Sequence, residues 1–186
     1  MDRPTPMVPK EVFFTKGVGK HRTRLESFEL ALRQAGIEKC NLVRVSSIFP
    51  PGAKIVPRAR GLAQIRPGAI TYVVLAEVST NEPSRLVGAG IGLALPADGS
   101  YYGYISEHHG FGMQEKKLGD FVEDMAATML ATTLGIEFDP DDAYDNRRQV
   151  YKMSGKIVRT HATVQTAEGD KNGLWTTVVA AAVFVM

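Results

Sequence analysis

Strand-type runs broken at short intervals by turn residues dominate this chain, and helical periodicity interrupts them in only two places. Glu11 to Thr15, Asn41 to Phe49, Ala53 to Val56, Ala69 to Val78, Arg85 to Leu95 and Tyr101 to Glu107 are rich in β-branched, aromatic and small apolar residues. Lys156 to Thr166 and Leu174 to Val185 form a last such pair around Glu168-Gly169-Asp170-Lys171-Asn172-Gly173, which reads as a terminal hairpin. Between the runs stand Gly17-Val18-Gly19, Pro50-Pro51-Gly52, Pro67-Gly68, Asn81-Glu82-Pro83 and Asp98-Gly99, each a turn signal. Parallel neighbours need a long crossover, usually a helix, whereas antiparallel ones need only a turn. Strands following one another without helical crossovers therefore predict an α+β fold with mainly antiparallel pairing.

The first helix starts at Thr23-Arg24-Leu25-Glu26, a capping box in which two side chains satisfy orphan backbone N–H groups. Leu25, Phe28, Leu32 and Ala35 then repeat on one helical face, and Gly36 supplies the stop. Glu29 borders that apolar stripe. A second helix runs from about Gln114 to Leu134, with Phe121, Val122, Met125, Met129 and Leu130 as its expected buried face and Gly135 as its stop. Asp139-Pro140-Asp141-Asp142 reads as a loop, and the proline-rich first ten residues as a loose arm. No linker or repeat divides the 186 residues, so one domain covering 1–186 is expected.

The charge balance excludes some functions. Twenty-two Lys and Arg against 20 Asp and Glu leave a net charge of +2, which gives no argument for nucleic acid or an anionic membrane. The lone Cys40 precludes an internal disulfide and a multi-cysteine zinc site. The N-terminus lacks the apolar core of a signal peptide, and Leu174 to Met186 is too short to span a bilayer as a helix; a cytoplasmic protein is expected.

Several motifs suggest chemistry and fail on spacing. Gly17-Val18-Gly19-Lys20 lacks the outer glycine and the hydroxyl residue of a phosphate loop, and Gly88-Ala89-Gly90-Ile91-Gly92 lies inside a strand pattern, where small residues serve close packing. Glu107-His108-His109, even with His21 or His161, makes a poor metal site, because adjacent strand residues point to opposite faces. Arg58, Arg60 and Arg66 read as a solvated loop. The Ser46-Ser47-Ile48-Phe49-Pro50-Pro51 stretch differs in kind. A hydroxyl pair at a strand end ordinarily caps a turn, but an abrupt strand stop is also a place to store backbone strain. Strain beside a hydroxyl suits an N→O acyl shift, in which the Ser47 hydroxyl attacks the Ser46 carbonyl and β-elimination of the ester breaks the chain.

The segment Asn41-Leu42-Val43-Arg44-Val45-Ser46-Ser47-Ile48-Phe49-Pro50-Pro51 resembles the processing segment of the pyruvoyl-dependent arginine decarboxylases. The similarity extends through the first helix, Tyr104-Ile105-Ser106-Glu107-His108-His109-Gly110, the second helix and the Ala-rich C-terminal strand. The resemblance implies cleavage between Ser46 and Ser47 into a β chain of residues 1–46 and an α chain of residues 47–186. It also implies conversion of Ser47 into a covalent pyruvoyl group, with no pyridoxal phosphate and no metal. In such enzymes the ketone forms a Schiff base with the substrate's amine and takes up the electrons released with CO₂, as an added cofactor would.

Carried over residue by residue, Glu107 is the proton donor and Asn41 assists processing and orients the pyruvoyl group. Glu29 stands where the family more typically has aspartate, facing the substrate's guanidinium, and Leu32 walls the substrate's methylenes. The implied fold is a β-sandwich covered by about two main helices in αββα layers. The implied assembly is a trimer of αβ units with active sites at subunit interfaces. Arginine is the expected substrate and agmatine the product; a related basic amino acid is the alternative, and so is an unprocessed trimeric amino-acid-binding protein.

Overall fold

The computed structural model describes residues 7–186, so most of the expected N-terminal arm lies outside the described residues. Its elements, in order, are β1 (Glu11–His21), α1 (Arg24–Ala35), β2 (Asn41–Arg44), β3 (Ile48–Phe49), β4 (Lys54–Ile55), α2 (Arg58–Gln64) and β5 (Ile70–Thr80). Then follow β6 (Leu86–Pro96), β7 (Gly103–Phe111), α3 (Glu115–Thr133), α4 (Tyr144–Met153), β8 (Ile157–Glu168) and β9 (Trp175–Val185). One sheet has the order β2-β5-β9-β1-β4 and the other β3-β7-β6-β8. The pairing is antiparallel except for β1 with β4 and β2 with β5. This is a mixed α+β arrangement.

The apolar run at the C-terminus becomes β9, the middle strand of the five-stranded sheet, and both of its faces are covered. Val178, Ala180, Ala182 and Phe184 meet Val74 and Ala76 of β5 and Val87, Ile91 and Leu93 of β6 in one core. Val179, Ala181 and Val183 meet Phe13 and the α1 residues Ala31 and Ala35 in a second. Two smaller clusters lie under α3 and α4, around Leu130 with Tyr151 and around Leu118 with Val122.

Both long helices sit unusually close to their sheets, and glycines make that possible. A Cβ on Gly17 of β1 would stand 2.1 Å from the Ala31 carbonyl oxygen of α1, and one on Gly92 of β6 would stand 2.0 Å from the Val122 carbonyl oxygen of α3. The two glycine-rich motifs are thus helix seats. Their closeness also corrects the expected helix faces. The residues α1 buries are Ser27, Ala31 and Ala35, while Leu25 is 77% exposed and Phe28 and Leu32 are left on the flank. In α3 the buried face is Leu118, Val122, Ala126, Ala127, Leu130 and Ala131, and Phe121 is partly exposed against His108.

Other expectations are corrected as well. The described residues hold four helices, where about two were expected. The arginine-rich loop contains α2, which follows Pro57 and places Gly61 directly on the Phe13 ring. Polar α4 lacks a side-chain cap and is held from outside, by Tyr151 packed beneath it and an Arg147–Asp124 ion pair to α3. β1 runs straight through Gly17-Val18-Gly19 to His21. The last two strands are not a hairpin: β8 pairs with β6 and β9 with β1 and β5, so the Gly169–Gly173 connection passes from one sheet to the other. No helix among the described residues is long and apolar enough to cross a membrane.

Candidate active site

The run from Asn41 to Phe49, expected as one strand, changes sheets in its middle. β2 pairs with β5, and the Val45 N–H still donates to the Val73 carbonyl at 3.0 Å. Two residues later the chain belongs to the other sheet: the Ile105 N–H donates to the Ser47 carbonyl at 2.7 Å, and Ile48 pairs with Tyr104. The Ser46-Ser47 doublet is the crossing.

At the crossing the Ile48 N–H donates back to the Ser46 carbonyl at 3.0 Å, a three-residue turn centred on Ser47. The acyl carbon that the Ser47 hydroxyl would attack therefore belongs to a carbonyl already polarised by a backbone donor. Neither serine adopts a left-handed backbone conformation: Ser84 is the sole non-glycine residue with positive φ among those described. Ser46 is exposed and Ser47 partly so, while Phe49 and Pro50 are buried and pin the chain just beyond. Beside the crossing opens an apolar cavity of about 410 Å³, lined by Val45, Ser46, Ile48, Tyr72, Phe184 and Met186 among others.

Glu107 lies on the same strand as Ile105, two residues on. At about 3.3 Å per residue its Cα is roughly 6.5 Å along β7 from the position bonded to Ser47, and period-2 alternation puts it on the same face. Glu107 is exposed in the isolated chain. The next residue, His108, points the other way and packs edge-on against Phe121, with ring centroids 4.6 Å apart; burial lowers its pKa.

Asn41 and Leu32 meet elsewhere, in a groove of about 380 Å³ between the flank of α1 and the edge of the five-stranded sheet. Phe28, Leu32, Leu42 and Leu75 supply its apolar walls, with Asn41, Arg44 and Glu77 as polar groups. The Asn41 side-chain amide donates to the Gly68 carbonyl at 2.9 Å. Glu29 sits one residue from Phe28 and is engaged by Arg33, whose Nη2 lies 2.6 Å from Oε1. Asn41 precedes Ser46 by five residues, about 16 Å of extended chain. The chain thus divides the candidates between two places: Ser46 and Ser47 at the sheet crossing, with Glu107 two residues further along β7 from the Ser47-bonded position, and Asn41 and Leu32 in the groove, with Glu29 on the flanking helix. Arg44 and Glu77 are groove residues that sequence reasoning missed. Alternation places Arg44 on the Leu42 side of β2, but their meeting depends on the β2–β5 pairing.

Two of the remaining candidate arginines have internal partners. Arg58 donates to Thr15 Oγ1 and the Gln34 carbonyl, and Arg60 pairs with Glu11. Among the described residues no three His, Cys, Asp or Glu side chains converge as metal ligands would.

Residues 11–186 match the family described as pyruvoyl-dependent arginine decarboxylase. A protein of Chloroherpeton thalassium named "Probable pyruvoyl-dependent arginine decarboxylase" is 61% identical over 178 residues, covering 96% of this chain and 98% of the relative. "Pyruvoyl-dependent arginine decarboxylase 2" of Methanosarcina mazei is 60% identical over 179 residues, again 96% of this chain and 98% of the relative. Its namesake from Methanosarcina acetivorans is likewise 60% identical with the same coverage. With similarity of this depth running through both clusters, the chain belongs to the pyruvoyl-dependent arginine decarboxylase family.

Proposed function

We propose that this protein decarboxylates L-arginine to agmatine and CO₂ with a pyruvoyl group made from its own Ser47. The observation that carries the reading is the family match over residues 11–186, and the β3–β7 pairing supports it by bringing residue 47 against the strand that bears Glu107.

Processing uses residues of the crossing. The Ser47 Oγ attacks the Ser46 carbonyl carbon, the developing oxyanion is held by the Ile48 N–H, and the Ser46–Ser47 C–N bond breaks to leave an ester and a free amine. Loss of the Ser47 α-proton then expels the Ser46 carboxylate by β-elimination. Water hydrolyses the resulting enamine after its tautomerisation, with release of ammonia, leaving a keto-acyl N-terminus at residue 47. Ser47 fits this role: the residue is partly exposed, Ser46 and Ile48 on either side of it line a cavity, and backbone bonds hold the chain before and after it.

The pyruvoyl group supplies a ketone that binds the substrate amine and accepts the electron pair released with CO₂. Glu107, on the strand that pairs with the crossing, donates a proton to the substrate's α-carbon. Leu32 and Phe28 line the substrate's methylenes, Glu29 faces its guanidinium, and Asn41 orients the reacting end. The separation of the two clusters within one chain supports a trimer of αβ units in which the crossing of one protomer meets the groove of the next. Exposed Val43, Val45 and Ile48 beside the crossing suit such an interface. The frame is a single αββα-layered domain of the cytoplasm, with the two sheets as a β-sandwich.

The test is the intact mass and denaturing gel of purified protein assayed for agmatine. Fragments 1–46 and 47–186 are expected, the latter without an N-terminal amine. An active preparation consisting of one uncleaved polypeptide refutes the proposal. An uncleaved, inactive protein that binds arginine would instead establish an amino-acid-binding protein.

A further inference from the structure

Glu77 on β5 faces the α1 groove, with a side chain only 28% exposed. Its partner is Arg44 of the edge strand β2, half-exposed, with Nη2 2.7 Å from Glu77 Oε2 and Nη1 3.5 Å from the Leu75 carbonyl. The contact is close but misaligned: Oε2 has no hydrogen bond of acceptable geometry although it is shielded from solvent. A carboxylate and a guanidinium at their best make two parallel N–H···O bonds. Arg44 achieves one off-axis approach, from a strand end on the rim of the sheet.

Glu29 differs, because Arg33 reaches it with both Nε at 3.2 Å and Nη2 at 2.6 Å from its own helix. Glu77 is therefore the groove carboxylate left with unspent hydrogen-bonding capacity. It stands among Phe28, Leu32 and Leu75, whose apolar surfaces suit a chain of methylenes ending in a cation.

We propose that Glu77 is a guanidinium acceptor of the substrate groove and that Arg44 is its resident stand-in, displaced when the side chain of arginine or agmatine enters. The inference deepens the arginine-decarboxylase reading and rests on it for the identity of the ligand. Displacement is cheap because a half-exposed, single-contact ion pair contributes little, and the incoming group gains aligned, charge-assisted bonds in its place.

Steady-state kinetics on Glu77→Gln and Arg44→Met test it, with cleavage at Ser46–Ser47 followed on gels as the measure of intact folding. Glu77→Gln is expected to be cleaved normally and to raise KM for arginine about 10- to 100-fold, the weight of hydrogen bonds to a charged group, with kcat changed far less. Arg44→Met is expected to lower KM by up to about fivefold by removing the competitor. An unchanged KM in Glu77→Gln overturns the proposal, and so does a parallel rise of KM in both variants, which marks the pair as a strut. If Glu77→Gln fails to cleave, KM of Arg44→Met alone decides. If the unsubstituted protein makes no agmatine, the functional reading fails first. Calorimetric titration with agmatine, with and without Glu77→Gln, then decides the groove by itself: Glu77-dependent binding sustains it and Glu77-independent or absent binding overturns it.

Discussion

Replacing Gly17 by alanine perturbs the seat of α1, the helix that carries Glu29 and Leu32. The added Cβ would lie 2.1 Å from the Ala31 carbonyl oxygen and 2.9 Å from the Ala35 amide nitrogen, where ordinary contact begins near 3.4 Å. Both atoms are backbone, so no rotamer change relieves the clash and the helix itself must lift by about 1.3 Å at that point. Overpacking of this kind costs about 1–3 kcal/mol. For a chain of this size that corresponds to a fall in Tm of roughly 2–12 °C. A displacement near 1 Å of groove residues lowers kcat/KM by about 10²-fold in sites that depend on position. Thermal unfolding and agmatine production are measured at equal protein concentration, because the Tm of the proposed trimer would depend on it. Gly99→Ala is the control, since its Cβ meets nothing within 4 Å. A Gly17→Ala protein with the Tm and kcat/KM of the control would refute the close seating of α1.

Ser47→Ala is expected to leave one full-length band and no agmatine, whereas Glu107→Gln should be cleaved yet lose about 10²- to 10⁴-fold in kcat; equal loss of cleavage in both would remove Glu107 from the proton-donor role. Arg147→Met breaks an ion pair whose side chains are 13% and 21% exposed, at a cost of about 1.5–3 kcal/mol. Hydrogen exchange should then quicken selectively in α4, and unchanged α4 protection would show that Tyr151 packing alone holds the helix. Burial lowers the pKa of His161, packed edge-on against Phe14, below its usual 6.5. The unfolded chain takes up that proton first, so stability falls as pH drops from about 6.5 to the folded-state value and levels off below it. Urea unfolding of His161→Gln at pH 7.5 and 5.5 should show a smaller difference than the unsubstituted protein, and an identical difference would remove His161 from the pH response.

Local signals are legible in the sequence where a few consecutive residues satisfy one another. The Thr23 half of the capping box is present, with Thr23 Oγ1 accepting from the Glu26 N–H at 3.2 Å, whereas the Glu26 carboxylate accepts from the Thr23 hydroxyl, and Gly36 adopts φ 81° as the stop of α1. The second long helix, α3, begins and ends within a residue of its sequence limits. Most of the long strands follow their runs to within a few residues, because β-branched residues and turns are short-range information. The helix faces differ from the sequence pattern for a physical reason. Sequence periodicity takes the largest apolar residues as buried, but a helix lying on glycines admits only Ser27, Ala31 and Ala35 beneath it, and Phe28 and Leu32 are freed to line the groove.

The amino-acid order alone determined the family likeness, the serine doublet, the two dominant helices and the mainly antiparallel character of the sheets. Tertiary structure decided that Asn41 to Phe49 is divided between two sheets, because its hydrogen-bond partners, Val73 and Ile105, lie far along the chain. It decided that β8 and β9 part company, that α4 forms through Arg147 and Tyr151, and that Glu77 and Arg44 share a groove with Leu32 and Asn41. Capping and alternation act over a handful of residues and are written in them, whereas which strand edges meet, and which polar side chains are thereby shut in together, depends on contacts between distant segments.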